Sequence, residues 1–308
     1  MLNVRGNMTD VKSIIQRLKE LDYSTNPYKE TRNLISGLGN FGFIQLTLHA
    51  TNEFIRARPL KNEETVCVVK DLSYKPQNCN KTYQRASTPN KTMFYAALVQ
   101  PEFTPDGFLA MGRLIGLMES LPFMRDKTSK GIEKLAFGKW TNTKDLNLAA
   151  IVYNEQFSKK NPKTEFLYKA FNQHAKNIGN LYEKSLIVTD FLATEFAKDN
   201  IHNHFDYMIS SIFSEISVEK GFDGILYPSV RTIGQGLNVA IHPDFVDNYM
   251  ELRSAGECTV FKNKEQINVL NDTVTIIPRG QNELKLKPFD EPAKLDRERQ
   301  NLIKLLGL

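Results

Sequence analysis

The amino-acid sequence predicts an α+β fold. Short apolar runs typical of strands occur among longer runs with helical periodicity, without the regular alternation that predicts a parallel α/β sheet. Hydrophobic residues make up 41% of the 308 residues, so a sizeable core can form and the composition argues against wholesale disorder. We therefore expect one main domain over residues 46–265, with an addition at each end of the chain.

The first 45 residues are predicted to form a helical extension. Thr9 is the expected N-cap of a first helix, because apolar residues recur behind it with helical spacing. The segment "NPYKETRNLISGLGNFG" predicts a second, short helix that ends at Gly37 and Gly39. At the other end of the chain, residues 266–308 are predicted to add a strand and the charged helix "EPAKLDRERQNLIKLL".

Within the main domain, apolar runs predict strands at 53–58, 64–70 and 92–98, followed by a helix over 107–121. The polar stretch "DLSYKPQNCNKTYQRASTPNK" predicts a long loop, and loops of this length in compact domains are usually functional. Three further helices are expected at 164–176, 185–197 and 203–219. The runs 225–227 and 237–241 are expected to form a hairpin, and further strands are expected at 134–140, 147–153, 250–254, 258–263 and 272–278.

Charge and cysteine content restrict the class of partner and the compartment. The formal net charge is +5, but no Lys/Arg run indicates a nucleic-acid-binding arm, so small anions are favoured over direct binding of nucleic acid. Three cysteines without a CxxC pair argue against a disulfide framework and favour a reducing, cytoplasmic location. The N-terminus lacks the apolar segment of a secretory signal, and no apolar run is long enough to predict a membrane partner.

Several common site motifs are absent from the sequence. The segment "SGLGNFG" lacks the lysine and the preceding strand of a phosphate-binding loop, and the serine-hydrolase pattern GxSxG does not occur. His202 and His204 stand two residues apart, which on a helix directs them to different faces. Polar residues at a helix start are therefore favoured over a metal site, and no metal is predicted.

Two segments early in the main domain are candidates for a site. Arg56 and Arg58 are expected on the same face of a strand, where arginine pairs are often simply solvated. The long loop carries Arg85 and leads to Tyr95 in the next strand. Tyr95 alone is equally typical of a core aromatic residue.

The third candidate is the hairpin bend "YPSVRTIGQG". It places Tyr227 at the end of a strand, Ser229 directly after Pro228, and Arg231 in a basic turn with two glycines. Pro228 is also a purely structural device for ending a strand. The bend is longer than a simple hairpin turn requires, which favours a loop with a function.

Taken in order and spacing, these segments resemble the RES family, which is named for its conserved Arg, Glu and Ser and includes toxins of bacterial toxin–antitoxin systems that destroy NAD⁺. The resemblance runs from about residue 53 to about residue 243. "FIRAR" is similar to the family's opening strand, and "YQRASTPNKTMFYAA" to its Gly-Arg-x-Asn loop and following strand, with Arg85 and Tyr95 ten residues apart. The most specific match is "GFDGILYPSVRTIGQGLN". The chain departs from the family in the loop itself, which has the sequence "QRAS".

The resemblance implies an ADP-ribosyltransferase-like fold, in which a split, mixed β-sheet binds NAD⁺. It implies an NAD⁺-consuming enzyme that cleaves the nicotinamide–ribose bond, with water or inorganic phosphate as acceptor and no cofactor besides the substrate. It also implies a cognate antitoxin protein as partner. Two alternatives remain, which are mono-ADP-ribosylation of a macromolecule and a catalytically inactive RES-like domain that binds a nucleotide or a partner protein.

The resemblance also assigns roles to the early segments. Arg85, with Arg56 or Arg58, would hold the diphosphate through charge-assisted hydrogen bonds. Tyr95 would stack on the nicotinamide ring. Because Arg85 lies in a predicted loop, its replacement by alanine is expected to leave the fold intact.

The remaining roles concern the ribose. Nicotinamide leaves as a neutral molecule, so Glu119 would stabilise the positive charge that develops on the ribose. Ser229 would orient the carboxylate, the ribose or the acceptor, and Tyr227 and Arg231 would contact NAD⁺. The segment "LVQPEFTPDG" is inserted before the helix that carries Glu119. Two other carboxylates therefore remain alternatives for its role, Glu102 and Asp106.

Overall fold

Helices and strands are mixed along the chain, as the α+β class predicts. The computed structural model describes residues 8–61, 63–100, 108–153 and 155–308. The described helices are α1 (Met8–Glu20), α2 (Tyr28–Gly37), α3 (Phe108–Ser120), α4 (Glu155–Ser158), α5 (Pro162–Ala175), α6 (Tyr182–Phe196), α7 (Met208–Glu219), α8 (Pro243–Tyr249) and α9 (Pro292–Leu306). The described strands are β1 (Ile44–Leu48), β2 (Glu53–Leu60), β3 (Phe94–Leu98), β4 (Lys130–Asn142), β5 (Leu146–Ala150), β6 (Gly224–Pro228), β7 (Leu237–Ile241), β8 (Met250–Asn263), β9 (Gln266–Ile276) and β10 (Lys287–Pro288).

The chain divides into two compact units, each discontinuous in sequence. The first unit comprises the described residues up to Leu48, together with Lys75–Phe94 and Leu146–Pro243. The second unit comprises three segments, His49–Tyr74, Tyr95–Asp145 and Asp244–Leu308. The helices of the predicted extension over residues 1–45 thus belong to the first unit, and the predicted boundary after residue 265 falls at the turn between β8 and β9.

The sheet of the first unit is mixed. Its strands lie in the order β1-β5-β6-β7, with β5 and β6 parallel and the other neighbouring pairs antiparallel. Every residue of β6 and β7 is buried, which explains why both strands have continuous apolar sequences. Helix α7 contacts β6 and buries Ile209, Ile212 and Phe213, as its helical periodicity predicts. The mixed sheet confirms the predicted fold class.

The strands of the second unit lie in the order β3-β2-β4-β8-β9-β10, and each neighbouring pair is antiparallel. Helix α3 packs closely on one face of β2. A Cβ atom at Gly112 would come within 2.9 Å of Ile55, and one at Gly116 within 2.9 Å of Ala57. The two glycines therefore allow the helix backbone to approach the strand.

The prediction of a strand at 64–70 was wrong. The segment has an isolated bridge at Val68 and then forms a short 3₁₀-helix over Val69–Leu72. Oδ2 of Asp71 accepts from the backbone N–H groups of Cys67 and Val68, at 2.8 and 2.9 Å. Local hydrogen bonds to a side chain thus take the donors that a strand partner would have used.

Two other predicted elements differ in extent. The strands predicted at 250–254 and 258–263 form the single strand β8, because the intervening residues pair with β4 and β9. The helix predicted over 203–219 begins as a 3₁₀-helix, His204–Tyr207, before α7. Here the side chain of Asn203 caps the start by accepting from the N–H of Phe205 at 2.8 Å.

Candidate functional site

Three of the predicted site residues, Arg85, Tyr227 and Arg231, contact one end of helix α6 in the first unit. We call residues Phe196–Asp199 the α6 end. Arg85 donates from Nη1 to the carbonyl oxygen of Phe196, and from Nη2 to the carbonyl oxygen of Lys198 at 3.0 Å. The ring centres of Tyr227 and Phe196 are 5.6 Å apart. Residues that are distant in sequence thus meet at the same helix end.

Arg85 acts as a cap for helix α6. The last carbonyl oxygens of a helix lack intrahelical donors and carry partial negative charge, so a cation that donates to them stabilises the helix end. Arg85 is only 9% exposed, and its guanidinium carbon lies 5.1 Å from the centre of the Tyr207 ring. This position corrects the expectation that a loop arginine contributes little to the fold, because its removal would leave buried carbonyl groups without their donor.

Arg231 contacts the same helix end through an ion pair. Its Nη1 bonds to Oδ1 of Asp199, and the Arg231 side chain is 16% exposed whereas that of Asp199 is 64% exposed. An ion pair with an exposed carboxylate contributes little to stability. An anionic ligand can therefore replace Asp199 as the partner of Arg231 at small cost.

Ser229 lies directly after β6 and begins the bend Ser229–Gly236. It is fully buried, and its Oγ accepts from the N–H of Thr232 at 3.3 Å. Its own N–H donates to the carbonyl oxygen of Gly236 at 2.8 Å, and its carbonyl oxygen accepts from the N–H of Gly234 at 2.8 Å. These bonds give Ser229 a part in holding the bend closed.

Two consecutive residues of the bend adopt left-handed backbone conformations. Gly234 has a φ of 79°, and a Cβ atom there would lie 2.8 Å from Phe157, so glycine is required. Ile233 has a φ of 53°, which is unfavourable for a β-branched residue, and its exposure is 62%. Strained conformations cluster at functional loops. Ile233 is thus a further candidate contact residue, which no sequence pattern indicated.

Replacing Ile233 by glycine is expected to give a more stable protein than replacing it by alanine. Glycine removes the Cβ atom that makes this conformation unfavourable, although the unfolded chain gains entropy. We expect Ile233→Gly to exceed Ile233→Ala by about 0.5–1 kcal/mol in the free energy of unfolding, measured by urea denaturation. Alanine is the matched control because it shortens the side chain but keeps the Cβ atom. Equal stability of the two variants would contradict backbone strain at this position.

In the second unit, Arg56 and Arg58 lie on one face of β2, as predicted. Arg56 donates from Nη1 to the carbonyl oxygen of Tyr95 at 2.8 Å, and Arg58 donates to the carbonyl oxygen of Asp71 at 3.1 Å and bonds to Glu64. Burial and the neighbouring Arg58 lower the pKa of Arg56 to about 10, against an opposing effect of Tyr95. Arg56 remains charged at neutral pH, whereas the charge of Arg58 is paired with the carboxylate of Glu64.

Glu119 lies near the end of α3, the helix that packs on the face of β2 formed by Ile55 and Ala57. Because side chains alternate along a strand, Arg56 and Arg58 lie on the opposite face. The helix that carries Glu119 and the pair Arg56 and Arg58 therefore lie on opposite faces of β2. Glu102 and Asp106, the two alternative carboxylates, lie outside the described residues.

A carboxylate that the sequence analysis did not select anchors the long loop. Glu215 of α7 accepts from Tyr28 Oη at 2.6 Å, from Thr88 Oγ1 at 2.8 Å and from Lys91 Nζ at 2.9 Å, and it pairs with Arg32. Burial opposes its ionisation, but the hydrogen bonds from Tyr28, Lys91 and Thr88 prevail and lower the pKa of Glu215. In the sequence, Glu215 stands out only as a single charged residue within the apolar and serine-rich run "MISSIFSEIS".

Comparison with known proteins leaves the resemblance to the RES family as a prediction. No protein-family model matches the chain, and no curated protein matches it. Within the described residues, no group of three or more His, Cys, Asp or Glu side chains is arranged to hold a metal ion. None of the described helices combines the length and the apolar character that crossing a bilayer requires.

Proposed function

We propose that the protein consumes NAD⁺ by cleaving its nicotinamide–ribose bond, with water or inorganic phosphate as acceptor. The observation that carries the proposal is the meeting of Arg85, Tyr227 and Arg231 at the α6 end. These are residues that the resemblance to the RES family selects. One cation is enough to stabilise a helix end, so the second arginine, Arg231 with its exposed partner, supports a role in ligand binding.

Binding of NAD⁺ needs cations for the diphosphate and a surface for the nicotinamide ring. In the first unit, Arg231 supplies a planar guanidinium group, which matches phosphate oxygens with two parallel hydrogen bonds. Tyr95 stacks on nicotinamide and holds the reacting end in place. Arg85 acts as a positioning residue, because both of its terminal nitrogens donate to carbonyl groups.

The bond between C1′ of the ribose and the nicotinamide nitrogen breaks with its electron pair passing to nicotinamide. The ribose is left with an oxocarbenium-like positive charge, which the carboxylate of Glu119 stabilises. An oxygen of water or phosphate then bonds to C1′ and releases its proton. Ser229 keeps the bend closed and so orients Arg231, which lies two residues later in the same turn.

Incubation of the purified protein with NAD⁺ tests the proposal. Chromatography with mass spectrometry should detect nicotinamide together with ADP-ribose in phosphate-free buffer, and with phosphorylated ADP-ribose when phosphate is added. Intact NAD⁺ in both buffers would contradict the proposal. Release of nicotinamide only when an acceptor protein is present, with ADP-ribose attached to that protein, would instead indicate mono-ADP-ribosylation.

A nucleotide-binding domain without catalysis is the second candidate. Two observations favour it: both terminal nitrogens of Arg85 are engaged with carbonyl groups, and the helix of Glu119 lies on the opposite face of β2 from Arg56 and Arg58. This alternative predicts binding of NAD⁺ in calorimetry without release of nicotinamide. A cognate antitoxin protein remains a proposed partner in either case, and co-purification with a neighbouring gene product tests it.

Glu119→Gln is expected to lower kcat for NAD⁺ cleavage by about 100-fold or more and to change KM little. The carboxamide keeps the size and hydrogen-bonding shape of the side chain but removes the charge that stabilises the ribose cation. Glu133→Gln, at an exposed carboxylate of β4, is the matched control. Full activity in Glu119→Gln would transfer the role to one of the alternatives, tested by Glu102→Gln and Asp106→Asn.

A further inference from the structure

A cavity of about 300 Å³ opens in the second unit, on the face of the sheet that α3 covers in part. Its floor is a row of paired residues across three strands, Phe137 of β4, Gly256 of β8 and Val274 of β9. Paired residues of antiparallel strands share a face. A Cβ atom at Gly256 would lie 2.5 Å from the carbonyl oxygen of Thr273, so the glycine allows β9 to approach β8 closely. Ile55 and Phe289, the latter 55% exposed, complete the apolar lining.

Arg113 of α3 lies beside this floor with neutral partners. Its Nη2 donates to Oδ1 of Asn271 at 2.6 Å, and its guanidinium carbon lies 4.7 Å from the centre of the Phe137 ring. Burial raises the pKa of the neighbouring Cys258 to about 11, so this thiol stays neutral. Among the described residues, no carboxylate forms an ion pair with Arg113. Its hydrogen bond and its ring contact are thus with neutral groups.

The other two charged residues that line the cavity, Lys139 and Glu257, have partners of their own. Lys139 forms an ion pair with Glu53 at 2.8 Å. Oε1 of Glu257 accepts from the backbone N–H of Val66 at 2.9 Å and from the hydroxyl of Thr65. Of the two cations that line the cavity, Arg113 is the one without an ion-pair partner among the described residues.

We propose that this cavity binds a small organic carboxylate with a flat apolar body. The body packs on Phe137, Val274 and Phe289, and the carboxylate accepts hydrogen bonds from Arg113. A volume of about 300 Å³ lies at the lower end of the range for ligand pockets and suits one or two fused rings. A guanidinium group recognises a carboxylate through two parallel hydrogen bonds, which fixes the orientation of the ligand. The site shares no residue with those assigned to NAD⁺ cleavage.

Calorimetric titration of the full chain with 2-naphthoate and with the uncharged 2-naphthalenemethanol tests the site. We expect 2-naphthoate to bind about tenfold more tightly or better, because only the carboxylate makes charge-assisted hydrogen bonds to Arg113. Arg113→Gln should abolish this preference, and Phe289→Ala should weaken both compounds about threefold or more, since the ring loses its packing surface. Arg279→Gln, at an arginine that is 74% exposed and does not line the cavity, is the matched control and should change neither affinity.

Equal affinities of the two compounds for the unaltered protein would overturn the proposal. An undiminished preference in folded Arg113→Gln would overturn it as well, and thermal unfolding establishes that the variant is folded. If that variant does not fold, Phe289→Ala decides, because the exposed ring can be removed without opening the core. Release of nicotinamide from NAD⁺ is a separate measurement, so failure of this site and failure of the proposed function are distinguishable.

Discussion

Glu215→Ala is expected to lower the free energy of unfolding by about 3–5 kcal/mol, the range for removing one partner from a buried charged network. Without this carboxylate, the hydroxyls of Tyr28 and Thr88 and the ammonium group of Lys91 lose their acceptor. The same carboxylate joins α2, the long loop and α7, so its loss loosens three segments of the first unit at once. Urea denaturation at neutral pH measures the effect.

Glu219→Ala is the matched control. Glu219 lies one turn later on α7 and also pairs with Arg32, but its side chain is 48% exposed. Exposed ion pairs contribute little, so we expect a loss below about 1 kcal/mol. Losses of similar size in the two variants would contradict the central position of Glu215 in the network.

The network also predicts a pH dependence of defined sign. The pKa of Glu215 lies below its ordinary value of 4.5, so the carboxylate contributes stability above that value and loses it as the pH falls through the pKa of the folded state. The difference in unfolding free energy between the unaltered protein and Glu215→Gln should therefore be largest near neutral pH and shrink below about pH 4.5. A difference that stays constant across this range would contradict the lowered pKa.

The fold could be predicted where a pattern is long and has one interpretation. The apolar faces of α3 and α7 predicted the bounds of both helices to within a few residues. The continuous apolar runs of β6 and β7 indicated buried strands. The strand predicted at 64–70 failed because its apolar composition is typical of a strand, whereas the Asp71 side chain decides the local conformation. Propensity does not report such a competition between hydrogen-bond partners.

The candidate residues could be selected by residue type and resemblance, but their partners could not. That Arg85 caps α6 depends on where a helix ends more than a hundred residues later in the chain. The left-handed backbone of Ile233 follows from the closure of its bend, and the contact of Arg113 with Asn271 follows from strand register. Tertiary contacts set all three features, and none of them has a local sequence pattern.

Arg85→Ala is expected to reduce both stability and NAD⁺ cleavage. Loss of the guanidinium leaves the carbonyl groups of Phe196 and Lys198 without a donor, which should lower the free energy of unfolding by about 2–3 kcal/mol. The α6 end also holds Asp199, the partner of Arg231, so the predicted anion site is disturbed as well. Urea denaturation measures the first effect. Nicotinamide release, at a temperature where every variant is folded, measures the second.

Arg85→Lys separates the possible roles of the guanidinium. A lysine can donate to a carbonyl group but lacks the planar fork, so it should recover part of the stability and little of the activity. Arg17→Ala, at an arginine whose side chain is 60% exposed, is the control and should change neither. Loss of cleavage in Arg85→Ala at unchanged stability would mean that Arg85 contacts the substrate directly. Loss of stability with full cleavage by the folded fraction would mean that the α6 end takes no part in the reaction, and the proposed function would lose its main support.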